Sequence, residues 1–85
     1  MSRVSVITGG AGGMGLATAK IVGRDHAVVL CDVRAGRLDG AVAALNDLGI
    51  TPTVVNCDVT DRQAVVELFE TAAGLGTLVS VIHTA

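Results

Sequence analysis

The sequence contains no tyrosine and no tryptophan, and Phe69 is its only phenylalanine. Basic side chains are also scarce, since six Lys and Arg against eight Asp and Glu give a formal net charge of −2. Proteins that hold nucleic acid usually present a basic patch, so we expect no nucleic-acid partner. No apolar run approaches the ~20 residues that a membrane-spanning helix needs. The apolar stretch after Arg3 is broken by glycine too soon for a secretory leader, so we expect a soluble, cytoplasmic protein.

Cysteine is nearly absent as well, and the two that occur lack the spacing of a metal site. Cys31 and Cys57 both lie inside apolar runs, outside any CxxC or Cys/His pattern. We therefore expect reduced, buried thiols and neither a disulfide nor a zinc site. The acidic pair Glu67 and Glu70 has no other metal-ligand residues beside it and is interpreted as an exposed helix face. No metal site is predicted.

What the chain does contain is a regular alternation of short apolar strands and amphipathic helices. Strands are predicted over 4–7, 26–32, 51–57 and 77–83, and helices over 13–23, 38–48 and from Thr60 or Asp61, either of which can be the N-cap, to about 74. The order β-α-β-α-β-α-β with short connections implies parallel strands joined by right-handed crossovers. We predict one α/β domain over 1–85, the N-terminal half of a doubly wound, Rossmann-type parallel sheet with strand order 3-2-1-4.

Each predicted helix has an apolar face at helical spacing. These faces comprise Met14, Ala17, Ile21 and Val22 in the first helix; Leu38, Val42, Leu45 and Leu48 in the second; and Val65, Val66, Phe69 and Ala72 or Ala73 in the third. Gly23 and Gly49 are predicted to end the first two helices.

Five glycines fall within the eight residues TGGAGGMG, between the first strand and the first helix. Backbone N–H groups and the positive end of the helix dipole converge at such a turn, and the missing Cβ atoms let a pyrophosphate approach. A P-loop is excluded because Leu16 and Ala17 stand where Lys and Ser/Thr are needed. Three dinucleotide-binding patterns fit: GxGxxG at Gly10, Gly12 and Gly15; TGxxGxxG at Thr8, Gly9, Gly12 and Gly15; and TGxxxGxG at Thr8, Gly9, Gly13 and Gly15. A strand that ends at Thr8 makes Gly9 the first turn glycine, which disfavours GxGxxG.

Asp32 ends the second predicted strand, 17 positions after Gly15 (32 − 15). In this fold an acid at that place accepts hydrogen bonds from the adenosine ribose and repels a 2′-phosphate. Asp32 could instead cap the next helix, and the nearby Arg34 could accommodate a 2′-phosphate. We expect NAD in preference to NADP.

Three segments together resemble the short-chain dehydrogenases/reductases. VITGGAGGMG resembles their cofactor loop, whose usual form is TGxxxGxG, and CDVTD is similar to their motif after the third strand. IHTA resembles a divergent form of their NNAG segment after the fourth strand. The resemblance covers essentially the whole chain and favours Gly9, Gly13 and Gly15 as the pattern glycines.

The resemblance implies a set of cofactor-binding residues. The pyrophosphate would lie against Thr8, Gly9, Gly12, Gly13, Met14 and Gly15. Asp32 would face the adenosine ribose, with Val33 beside it as a further cofactor-binding residue; Asp58 and Val59 would face the adenine, and Thr84 and Ala85 the cofactor's ribose. NADP-preferring relatives often place a basic residue where this chain has Gly12, which again favours NAD. His83 and Thr84 stand in place of the family's two asparagines.

The catalytic group is expected to lie outside these residues. Members of the family use Tyr, Lys and Ser for hydride transfer, but this chain has no Tyr and its only lysine, Lys20, lies in the first helix. Of its two histidines, His26 is interpreted as a solvated loop residue and His83 as structural or close to the cofactor. No catalytic residue is predicted within 1–85.

The resemblance implies the cofactor-binding part of an NAD-dependent oxidoreductase that acts on a small alcohol or carbonyl compound and forms a homo-oligomer. Two alternatives stay open: a catalytically inactive dinucleotide-binding or regulatory module, and a fragment of the extended branch of epimerases and dehydratases. The extended branch prefers TGxxGxxG and also matches VIHTA, whereas the regular second helix favours the standard-length branch. We also expect the edge of the fourth strand to be exposed and prone to association.

Overall fold

The computed structural model describes residues 3–9, 12–33 and 35–83. Four strands are formed by β1 (Arg3–Thr8), β2 (Ala27–Asp32), β3 (Thr53–Asn56) and β4 (Thr77–His83). Three helices connect them: α1 (Gly13–Val22), α2 (Ala35–Asn46) and α3 (Arg62–Leu75). The alternation predicted from hydrophobic periodicity is confirmed, and each predicted boundary lies within a few residues of the observed one.

The strands form one parallel sheet in the order β3-β2-β1-β4. This is the predicted order, and it confirms the doubly wound α/β architecture. The central strand β1 pairs with both β2 and β4, and all its residues after Arg3 are buried. The carboxyl ends of the strands therefore meet at one edge of the sheet, where Thr8 is paired with Cys31 on one side and His83 on the other.

The sheet separates two hydrophobic cores. One core lies under α3 and contains Val4, Val6, Val29, Cys31, Cys57, Leu68 and Ala72. The other lies under α1 and α2 and contains Ile7, Ala19, Val28, Leu30, Leu38, Ala41 and Leu45. Neighbouring residues of β1 and β2 contribute to opposite cores because side chains alternate along a strand.

The predicted apolar faces of the helices are only partly correct. In α1 the buried residues are Gly15 and Ala19, whereas Met14 is 79% exposed and Ile21 is 70% exposed. Small residues let α1 approach the sheet closely. Leu16 and Val22, the latter from the predicted face, are half-buried against the core, whereas Met14 and Ile21 point outwards. In α2, Leu38 and Leu45 are buried as expected, but Leu48 lies beyond the helix and is exposed.

Helix α3 faces the sheet with a stripe slightly rotated from the predicted one. Leu68, which was not included in the predicted stripe, is buried together with Ala72. Val65 and Phe69 are half-buried, while Val66 and Ala73 are exposed. The periodicity of the sequence predicts that α3 has an apolar face, whereas the packing of the helix against the sheet determines which residue lies at the centre of that face.

Two helix ends follow the chemistry expected of their residues. Gly49 has φ +77°, and the Gly49 and Ile50 N–H groups donate to the carbonyls of Asn46 and Leu45, as in a Schellman motif. At the start of α3 the open choice of N-cap is resolved in favour of Asp61, whose carboxylate accepts from the N–H groups of Gln63 and Ala64 at 3.0 and 3.4 Å.

The fourth strand is the least covered part of the sheet. Leu78, Val79 and Val81 are 37%, 47% and 49% exposed, in contrast to the fully buried valines of β1. The expectation of an exposed fourth strand is confirmed. No helix within the described ranges has both the length and the apolarity required to cross a bilayer.

Candidate dinucleotide site

A cleft of about 280 Å³ opens at the carboxyl edge of the sheet. It is lined by Thr8, Gly9, Cys31, Asp32, Val33, Cys57, Val59 and His83. These residues come from the ends of β1, β2 and β4 and from the segment after β3. In open parallel α/β sheets, ligands bind at this edge, where connections diverge to opposite faces.

The turn after β1 is built on Gly9. Its φ of +69° lies in the left-handed region, which residues with a Cβ rarely adopt. The Gly9 carbonyl accepts a hydrogen bond from the Gly12 N–H at 3.0 Å, which closes the turn directly before α1. Gly10 and Ala11 lie outside the described residues. The prediction that Gly9 is the first turn glycine is confirmed by this conformation.

The start of α1 follows this turn and comprises Gly12, Gly13, Met14 and Gly15, none of which lines the cleft. Gly12 is the N-cap, and it supplies no side-chain acceptor to the first N–H groups of the helix. A Cβ placed on Gly13 would meet no atom of the described chain within 4 Å. Packing within the described chain therefore does not require glycine at this position.

Asp32 and Val33 border the cleft at the end of β2. The Asp32 side chain is half-buried, and Val33 is 56% exposed. The Asp32 carbonyl accepts a hydrogen bond from the Cys57 N–H at 3.2 Å, which joins the ends of β2 and β3. The structure thus brings Asp32 into the same cleft as the glycine turn. Arg34, the other residue weighed for cofactor choice, lies outside the described residues.

Asp58 and Val59 follow β3, and only Val59 lines the cleft. The Asp58 carboxylate accepts hydrogen bonds from the Thr60 N–H at 2.9 Å and the Thr60 hydroxyl at 2.7 Å. These two donors hold the pKa of Asp58 below its ordinary value, so the side chain stays ionised. The fixed turn presents Val59 to the cleft, with 43% of its surface exposed.

Cys31 and Cys57 both line the cleft. Both are buried free thiols, as predicted. The Cys31 thiol donates to the Cys57 carbonyl at 3.4 Å. Burial, together with the neighbouring Cys57 and Asp32, raises the pKa of Cys31 from 9.0 to about 12. A thiol that remains protonated is a poor nucleophile, which agrees with a packing role for this residue. Across the described residues, no group of three His, Cys, Asp or Glu could hold a metal ion.

Each of the two histidines forms a hydrogen bond with a hydroxyl group of β1. His83 is exposed at the end of β4, lines the cleft, and forms a hydrogen bond through Nδ1 with the Thr8 hydroxyl. His26 lies in the loop before β2, as predicted, but its side chain is half-buried. Its Nδ1 lies 2.6 Å from the hydroxyl of the buried Ser5, which in turn lies 2.7 Å from the Ser80 hydroxyl. The prediction of a solvated side chain was wrong because a serine inside an apolar strand gave no sign of its distant partner.

Two of the predicted site residues, Thr84 and Ala85, lie outside the described residues. Of the remainder, the cleft collects Thr8, Gly9, Asp32, Val33 and Val59. Cys31, Cys57 and His83 also line it, although sequence reasoning had not placed the cysteines there. Their positions at or just after strand ends were the available signal, since strand ends converge in this topology.

The whole described chain matches a known family. A family model described as short chain dehydrogenase matches residues 3–85. The short chain dehydrogenase/reductase dpchG of Colletotrichum higginsianum is 39% identical over 85 residues, which cover 98% of this chain and 32% of that protein. The C alpha-dehydrogenase of Sphingobium sp. is 46% identical over 63 residues, covering 73% of this chain and 21% of that protein.

Solved structures have the same architecture. The 2-keto-3-deoxy-D-gluconate dehydrogenase of Streptococcus agalactiae superimposes with a TM-score of 0.87 at 27% identity, over 98% of this chain and 32% of that one. An NAD+-bound xylitol dehydrogenase superimposes with a TM-score of 0.76 at 30% identity, over 85% of this chain and 28% of that one. The chain thus spans about a third or less of the length of these relatives.

Proposed function

Because the chain belongs to the short-chain dehydrogenase family, we propose that its cleft binds NAD or NADH in an enzyme that oxidises an alcohol or reduces a carbonyl compound. The observation that carries the choice of cofactor is Asp32, which lies at the tip of β2 in the same cleft as Thr8 and Gly9. When bound, the nicotinamide supplies hydride transfer. These residues bind and orient the dinucleotide.

The start of α1 fits a pyrophosphate. Gly9 turns the chain in a left-handed conformation, and α1 begins without a side-chain cap or an acidic residue in its first turn. Its N–H groups and dipole favour a bound anion. We assign this contact to Gly12, Gly13, Met14 and Gly15. The side chain of Met14 is exposed.

The adenosine half fits the opposite side of the cleft. Asp32 can accept hydrogen bonds from both ribose hydroxyls, and its negative charge opposes a 2′-phosphate. Val33 and Val59 supply apolar surface for the adenine ring, and we assign the ionised Asp58 to the adenine amino group. The NAD+ in the similar xylitol dehydrogenase supports the same preference. Thr84 and Ala85 are proposed to border the cofactor's ribose.

Binding measurements on the protein with NADH and NADPH test the preference. We expect NADH to bind more tightly, and Asp32→Ala to weaken NADH binding about 10- to 100-fold, since a hydrogen bond to a charged group contributes roughly 1.5–3 kcal/mol. NADPH binding should weaken less or improve. Asp47→Ala is the matched control, because Asp47 is an exposed aspartate in the turn after α2 and outside the cleft. Tighter binding of NADPH to the unaltered protein would contradict the role given to Asp32.

Activity requires groups that this chain does not contain. The sequence has no tyrosine to protonate a carbonyl oxygen, so we place the catalytic acid outside residues 1–85. We further propose a small-molecule substrate and assembly into a homo-oligomer, as expected for the family. Following NADH formation with a panel of secondary alcohols tests the reaction class. A protein that binds NADH but oxidises no alcohol and reduces no carbonyl would favour a dinucleotide-binding module without catalysis.

A further inference from the structure

His83 and Thr8 are the last described residues of two paired strands. They face each other in the register of β1 and β4, and both line the cleft. The imidazole Nδ1 of His83 is hydrogen-bonded to the Thr8 hydroxyl, whose oxygen also lies 3.5 Å from the Ile82 carbonyl. Thr8 directly precedes the left-handed Gly9, so this contact fixes the residue from which the cofactor turn begins.

The geometry of this contact accepts either charge state of the imidazole. When Nδ1 carries no proton, the Thr8 hydroxyl donates to it. When Nδ1 is protonated, it donates to the Thr8 oxygen, and the hydroxyl proton can turn to the Ile82 carbonyl. Protonation of the neutral tautomer that carries its proton on Nε2 therefore reverses the direction of this hydrogen bond without removing a partner.

We propose that His83 is a positioning residue which makes dinucleotide binding dependent on pH, with tighter binding when the imidazole is charged. This inference rests on the proposed dinucleotide function of the cleft. Histidine is the side chain that ordinarily changes charge between pH 5 and 8. A positive charge in the cleft attracts the negatively charged pyrophosphate. The hydrogen bond between His83 and Thr8 also links the charge state of the imidazole to the turn at Gly9, to which the pyrophosphate is assigned.

Few other charges face this part of the sheet edge. Among the described residues, the titratable groups there are Asp32, Cys31 and Cys57 in the cleft, Asp58 in the turn after β3, and Asp61 and Arg62 at the start of α3. Asp58 stays ionised because Thr60 lowers its pKa, and Cys31 stays neutral because burial raises its pKa to about 12. The first turn of α1 contributes no acid. Among the described residues that line the cleft, His83 is the one of a type that ordinarily changes charge near neutral pH.

The chain provides a matched control in its second histidine. His26 also uses Nδ1 to contact a hydroxyl of β1, that of Ser5, but at the opposite end of the sheet. His26→Asn thus removes an imidazole and a comparable hydrogen bond without altering any residue that lines the cleft. His83→Asn keeps an amide that can bond to Thr8 but carries no charge, and His83→Gln is a second neutral variant should the first fold poorly.

The experiment measures the dissociation constant of NADH between pH 6.0 and 8.5 for the protein and its variants. NADH is the suitable probe because it lacks the 2′-phosphate of NADPH, which titrates near pH 6. We expect binding by the unaltered protein to weaken roughly 2- to 5-fold as pH rises, in line with the modest strength of exposed charge pairs. His83→Asn should remove this dependence, and His26→Asn should keep it. Retention of the dependence in both neutral His83 variants, or its loss in His26→Asn, would overturn the inference.

A ligand-free measurement separates this inference from the proposed function. The Gly9 amide resonance should shift with the titration of His83, and this shift should vanish in His83→Asn. Failure of NADH to bind at any pH would overturn the dinucleotide function, while the Gly9 resonance would still decide whether His83 acts on the turn. A Gly9 amide that does not respond to His83 would count against the inference even if NADH binds.

Discussion

At the scale of single residues, Gly9 and Asp32 carry most of the argument for a cofactor site. Gly9 has a φ of +69°, so a side chain there would strain the turn between β1 and α1. Asp32 was recognised from sequence because it ends an apolar strand, and the structure places it in the cleft beside that turn. The position of each residue at or just after the end of a strand was enough to predict that the two lie close together, because the carboxyl ends of parallel strands meet at one edge of the sheet.

The contacts of His83 and Ser5 could not be predicted in the same way. The hydrogen bond between His83 and Thr8 joins residues 75 positions apart, and the one between Ser5 and His26 joins residues 21 apart. Neither pair forms a local motif, because a hydroxyl in a strand can find its partner on any neighbouring element. Only the strand register determines which side chains meet.

Cys31 leads to a prediction about alkaline stability. Its pKa is 9.0 in the absence of the fold and about 12 within it, chiefly because burial disfavours the thiolate. Below pH 9 both states hold the proton and the group has no effect on stability. Between pH 9 and 12 the unfolded chain loses the proton more readily, so the free energy of unfolding falls as pH rises.

Urea denaturation of the unaltered protein and of Cys31→Ala checks this expectation. The variant loses some packing at every pH, but it lacks the titrating thiol. The difference in unfolding free energy between the two proteins should therefore be constant from pH 7 to 8.5 and should narrow from pH 9 to 10.5. A constant difference in unfolding free energy across the whole pH range would argue against a raised pKa of the Cys31 thiol in the folded protein.

At the scale of elements, hydrophobic periodicity predicted all three helices but placed only some of their faces correctly. Helix α1 packs through Gly15 and Ala19, and its larger Met14 and Ile21 point to solvent. A periodicity reading weights large apolar residues, whereas close packing against a sheet selects small ones. In α3 the face is centred on the buried Leu68 because the angle of the helix on the sheet, which no sequence pattern encodes, sets the contact.

The start of α3 gives an element-scale prediction. Asp61 accepts hydrogen bonds from two N–H groups of the first turn, and its charge also favours the positive end of the helix. Asp61→Ala should lower the free energy of unfolding by about 1 kcal/mol. Asp39→Ala, on the exposed face of α2, is the control and should change it by less than ~0.5 kcal/mol. Equal effects of the two substitutions, measured by urea denaturation, would show that the cap contributes nothing specific.

At the scale of the whole molecule, the sheet is covered unevenly. Strands β1 and β2 lie between two hydrophobic cores, while β3 and β4 are the edge strands of the described sheet. The strand order follows from the alternation of elements and the handedness of crossovers, which is why it could be predicted from the sequence. The exposure of β4 was expected as well, from its place at the end of that order, whereas the exposed fraction of each of its side chains depends on what packs beside the strand.

The exposed edge at β4 leads to a prediction for the 85-residue chain expressed by itself. Leu78, Val79 and Val81 are each more than a third exposed on a strand with an unpaired edge, a combination that promotes association between chains. We expect concentration-dependent self-association in sedimentation velocity. Replacing Val79 and Val81 together with lysine should reduce it, because edge charges oppose strand pairing. Val66→Lys on α3, an apolar residue of similar exposure that lies on no strand, is the control for added charge and should leave association largely unchanged. A chain that stays monomeric at all concentrations, or whose association responds equally to the α3 substitution, would show that β4 is not the surface through which copies meet.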